Sequence, residues 1–83
     1  MHKEVEIAHV DKRIRQLLRY LSELEEKYSM RSSRLLSEQS VVNVLMSRSD
    51  EARRDVERWI ALYIELTRLR ELRSLYAIIG KTQ

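Results

Sequence analysis

The chain has 83 residues, enough for one small domain, and a domain of this size buries only about 60% of the surface its unfolded form exposes. It contains no Pro, no Cys and no Phe, a single Gly, and 16 basic against 13 acidic residues for a net charge of +3. This composition excludes thiol chemistry, offers nothing to punctuate a sheet, and predicts an all-α chain with a mixed, mildly basic surface.

From Ile7 the apolar residues fall at Ile7, Val10, Ile14, Leu17, Leu21, Leu24 and Tyr28, a strict alternation of three and four. That is a coiled-coil seam, which keeps one stripe of a helix facing a partner helix, and it predicts helix 1 over about 3–28 with Val5 and Leu18 widening the stripe. On its outer side Asp11 and Arg15, Arg19 and Glu23, and Glu23 and Lys27 stand four apart, a spacing that adds a few tenths of a kcal/mol per pair.

Ser29, Ser32 and Ser33 interrupt this pattern, because serines compete for backbone hydrogen bonds, and a bend is expected there. Leu35, Leu36, Val42, Leu45 and Met46 then fit a short helix over about 33–46, although Val41-Val42-Asn43-Val44 has strand character. A continuous helix from Lys3 to Met46 is the competing arrangement. The excess positive charge lies in this middle stretch, where Lys27, Arg31, Arg34 and Arg48 face Glu38 alone.

Ser49 or Asp50 can cap a third helix, and Asp50, Glu51 and Asp55 place negative charge at its positive end. Trp59, Leu62, Leu66, Leu69 and Tyr76 repeat the three-four spacing, flanked by Val56, Tyr63 and Leu72 and carrying Arg73 in the seam, over about 50–79. Gly80 is the expected stop, since glycine tolerates the left-handed turn that closes a helix.

Little in this sequence can carry chemistry. His2, Glu6 and His9 share one face of helix 1 but lack a fourth metal ligand, and Glu23, Glu25, Glu26, Asp55 and Glu57 are expected on solvated faces. No phosphate-cradling glycine loop, dinucleotide fingerprint or His-Glu-x-x-His zinc motif is present, so no enzyme activity, cofactor, metal or small-molecule substrate is expected. Tyr20, Tyr28, Trp59, Tyr63 and Tyr76 beside Arg19, Arg58 and Arg70 could stack nucleic-acid bases, but core packing is the stronger expectation. Arg31, Arg34, Arg48, Arg53 and Arg54 are the candidate phosphate-binding residues.

Two stretches, Leu24 to Ser33 (LEEKYSMRSS) and Asp55 to Tyr63 (DVERWIALY) with Leu66 and Leu69, resemble small helical antitoxin-like proteins of prokaryotic toxin-antitoxin pairs. Ser29 stands where that family has Gly, and Arg34-Leu35-Leu36 replaces an acidic stretch. The resemblance implies that Trp59, Leu62, Tyr63 and Leu66 are core or contact positions, and that the chain neutralises a partner protein by docking of a helix into a groove.

The expected architecture is a single all-α domain over 1–83, an antiparallel helical hairpin or three-helix arrangement. Its stripes, Ile7 to Tyr28 and Val56 to Tyr76, are wider than one chain should cover, and a covering partner is expected. A second copy completing a four-helix bundle as a homodimer is the simplest, and another protein docking on the same helices is the alternative. The expected function is a non-enzymatic interaction module, with a small basic nucleic-acid-binding protein or a self-assembling structural subunit as alternatives. No run approaches the ~20 apolar residues of a membrane span and the opening residues lack a signal-type apolar stretch, so a cytoplasmic location is expected.

Overall fold

The computed structural model describes the backbone of residues 2–81 and the side chains of residues 7–79. The described residues form four helices and no strand: α1 (His2–Tyr28), α2 (Arg34–Ser37), α3 (Gln39–Arg48) and α4 (Asp50–Lys81).

Helix α1 ends in a left-handed turn. The Met30 amide donates to the Glu25 carbonyl (3.1 Å) and the Ser29 amide to the Glu26 carbonyl (3.4 Å), the paired bonds that close a helix around a left-handed residue. That residue is Ser29, at φ 51°, a conformation that costs a residue with a Cβ about 1–2 kcal/mol. The reversal turns Met30 inward, where it joins the core that Leu24 packs against.

The middle segment differs from the single expected helix. Arg34–Ser37 and Gln39–Arg48 are separate helices broken at Glu38, whose backbone (φ −128°, ψ 80°) leaves the helical region. The Glu38 amide still closes α2 on the Arg34 carbonyl (2.9 Å), and its carbonyl accepts from Val41 (3.1 Å) and Val42 (3.3 Å) to start α3. The Glu38 side chain caps neither helix, because the Arg34 guanidinium holds its carboxylate. The valine run is helical, with Val42 and Leu45 buried. A single residue, Ser49, links α3 to α4, and its hydroxyl accepts from the Ala52 amide (3.0 Å) as an N-cap. At the other end α4 runs through Gly80 to Lys81, past the expected stop.

Helices α1 and α4 run in opposite directions, with Asp11 meeting Arg73, Arg13 meeting Glu65, and Lys27 meeting Glu51 and Asp55. Leu17 and Leu21 from α1, Met30 from the turn, Leu35 from α2, Val42 and Leu45 from α3, and Val56, Trp59 and Leu66 from α4 make one buried core. At a rise of 1.5 Å per residue α4 is about 48 Å long, which accounts for the 51 Å long axis. The radius of gyration, 15.7 Å, exceeds the ~12 Å expected for a compact chain of this length. Helices α2 and α3 together span only about 21 Å, too short to follow α4 past its midpoint.

Candidate functional site

At the end of the rod where α1 turns over, the residues that carry the resemblance are joined to one another. The Trp59 Nε1 donates to the Ser32 hydroxyl (2.8 Å), which donates to Glu25 Oε2 (2.7 Å); the Ser32 amide reaches the same carboxylate oxygen (2.8 Å). Ser32 and Trp59 are buried, so an unanswered indole N–H there would lose its hydrogen bond to water with no replacement. Beside this relay Lys27 Nζ donates to Asp55 Oδ2 (2.7 Å) and Glu51 Oε1 (3.1 Å), and the Tyr28 hydroxyl donates to Asp55. The Tyr28 ring stacks on Trp59 with centroids 5.7 Å apart.

The electrostatics follow the contacts. Hydrogen bonds from Lys27 and then Tyr28 hold the Asp55 carboxyl below its ordinary range, and the same bond to Asp55, with one to Glu51, raises the Lys27 ammonium. Burial, reinforced by the bond to Asp55, pushes the Tyr28 phenol up. Glu25 and Asp55, expected on solvated faces, are thus anchors between elements. Sequence reasoning named Ser32 among the serines that break the helix and within the Leu24 to Ser33 stretch, but not as the partner of Trp59 and Glu25.

The two seams largely face each other within the chain. Val10, Leu17, Leu21, Val56, Trp59 and Leu66 are buried, while Ile7, Ile14, Leu24, Tyr28, Leu62, Tyr63, Leu69 and Tyr76 are half-buried. The resemblance left Trp59, Leu62, Tyr63 and Leu66 as core or contact residues; all four belong to or pack against the core. Arg73, anomalous in an apolar seam, donates from Nε to Asp11 Oδ1 (2.9 Å). The side chains of His2, Val5 and Glu6 lie outside those described.

The charge pairing expected along α1 is replaced by pairing across helices. Asp11 meets Arg73 and Lys27 meets Glu51 and Asp55, whereas Asp11 with Arg15, Arg19 with Glu23 and Glu23 with Lys27 form no salt bridge among the described residues. Tyr20 lies under Arg58 (5.5 Å from the ring centroid) and Tyr28 on Trp59, so these rings already have internal neighbours. The candidate phosphate-binding residues Arg31, Arg34, Arg48, Arg53 and Arg54 are all exposed; Arg34 pairs with Glu38 and Arg53 with Asp50. No group of His, Asp or Glu that could hold a metal occurs among the described residues, and no described helix is long and apolar enough to cross a membrane.

What the seams did not predict is the apolar surface outside them. Leu36 (57% exposed), Val44 (56%), Leu75 (55%) and Ile78 (58%) lie open, more so than Leu18 and Leu72, the exposed residues that the seams did include. The last turns of α4 hold apolar residues around the helix, as Leu72, Leu75, Tyr76, Ala77, Ile78 and Ile79, and that loss of a single stripe was the available signal. No model of a known protein family, no curated protein and no solved structure matches this chain.

Proposed function

We propose that this chain is a non-enzymatic protein-interaction module, an antitoxin-like inhibitor that binds a partner protein through helical surfaces. The observation that carries the reading is the apolar surface left outside a core whose own seams are already met. Leu36 on α2 and Val44 on α3 are more than half exposed, and exposed large apolar residues are where a partner surface can be buried. The resemblance gains coherence from the joining of its two stretches, since Glu25 and Ser32 from the first hold Trp59 from the second.

The test is co-expression with the product of the neighbouring reading frame, read by co-elution and by relief of any growth defect that product causes. The expected result is a stable complex that Leu36→Asp with Val44→Asp disrupts while helix content is unchanged. A neighbour that neither co-elutes nor affects growth would sink the antitoxin-like reading.

Nucleic acid is the second reading, favoured by Arg31, Arg48 and Arg54, which are exposed and form no salt bridge among the described residues. Binding to DNA or RNA that weakens steeply with salt would support it, and no binding at low salt would remove it.

A further inference from the structure

The exposed side of α4 carries a second three-four row, distinct from the seam that meets α1. It runs Ala61, Ile64, Arg68, Glu71, Leu75, Ile78. Ile64 is half-buried and outside the core, and the other five are exposed, Leu75 at 55% and Ile78 at 58%. Asp55, Glu65 and Arg73 mark the side of α4 that faces α1. At 100° per residue Leu75 lies about 200° around the helix from Arg73, which puts the row on the outer face. Arg68 and Glu71 form no salt bridge among the described residues.

We propose that this row is a two-fold, antiparallel interface with a second copy of the chain. Read from either end, the row is apolar, apolar, charged, charged, apolar, apolar, and the two charges are opposite. An antiparallel pairing with its axis between residues 69 and 70 sets Ala61 against the partner's Ile78, Ile64 against the partner's Leu75, and Arg68 against the partner's Glu71. Symmetry makes each of these contacts twice. Parallel pairing would instead oppose Arg68 to the partner's Arg68 and Glu71 to the partner's Glu71. A three-four row is the spacing that supercoiled helices use, and charge pairs of this kind set orientation and partner choice. The row spans about 26 Å, and four of its six residues, Arg68, Glu71, Leu75 and Ile78, lie past the midpoint of α4, beyond the reach of α2 and α3. The inference rests on the reading that the chain acts through helix contacts, and it names one of the partners.

Sedimentation of the purified full chain tests it, with circular dichroism to verify folding of each variant. A concentration-dependent dimer is expected at about 100 μM. Leu75→Glu with Ile78→Glu should leave a folded monomer. Arg68→Glu and Glu71→Arg each create two like-charge oppositions and should raise the dissociation constant about tenfold or more. The double exchange Arg68→Glu/Glu71→Arg should restore the dimer, and an equimolar mixture of the two single variants should form a mixed dimer. A chain that stays monomeric, or single charge reversals that leave the dimer intact, would overturn the proposal. A monomer that still binds the neighbouring gene product would overturn the dimer alone, whereas a dimer that binds no such product would leave it standing and remove the antitoxin-like reading.

Discussion

The hydroxyl of Ser32 sits between an indole that can only donate and a carboxylate that can only accept, so it satisfies both in one line. Removing it leaves a buried N–H without an acceptor. Ser32→Ala should therefore destabilise the fold by about 1–3 kcal/mol, whereas the exposed Ser33→Ala should change it by less than about 0.5 kcal/mol, both read by chemical denaturation. If the two variants melt alike, the relay contributes nothing. Ser29 offers a change of opposite sign: at φ 51° it occupies a conformation suited to glycine, and Ser29→Gly should raise stability by up to about 1 kcal/mol in the same assay. The position of this turn was legible, since the serines broke the seam and the resembled family has Gly at that place. The role of Ser32 was not, because its partner Trp59 is 27 residues away and comes to it only when α4 packs.

Among the elements, α1 and α4 were legible because each repeats apolar residues at three-four spacing over many turns. The middle was not, because the break falls at Glu38, a good helix former with no turn or breaker signal around it. The ion pairs also escaped sequence reading, which sees residues four apart and not those facing each other across two helices. These cross-helix pairs set an acid dependence. Hydrogen bonds from Lys27 to Asp55 and from Arg13 to Glu65 lower both carboxyl pKa values in the folded chain. The stability they add is thus present in full above the ordinary carboxylate pKa of about 4 and is lost as pH falls through that value toward the folded ones. Asp55→Asn should be less stable than the parent at neutral pH and should lose less on acidification, as followed by denaturation at successive pH values. An unchanged acid slope would mean that Asp55 does not act this way.

The whole molecule is a rod in which one long helix, α4, is flanked along most of its length by α1 and over about its first third by α3. The sequence made the two stripes visible, Ile7 to Tyr28 and Val56 to Tyr76, and suggested that their surplus width needs a second molecule. In the fold much of that width is taken up internally, because Val42 and Leu45 of α3 and Leu35 of α2 join the core on Val56 and Trp59. The surplus lies instead at Leu36, Val44, Leu75 and Ile78, positions that the seam spacing does not select. We propose that this chain, with its thin core and open apolar residues, associates with a partner. Sedimentation velocity of the chain, alone and mixed with the product of its neighbouring reading frame, tests it most directly. The account predicts species heavier than the 10.0 kDa monomer. A chain that sediments as the monomer in both samples would contradict it.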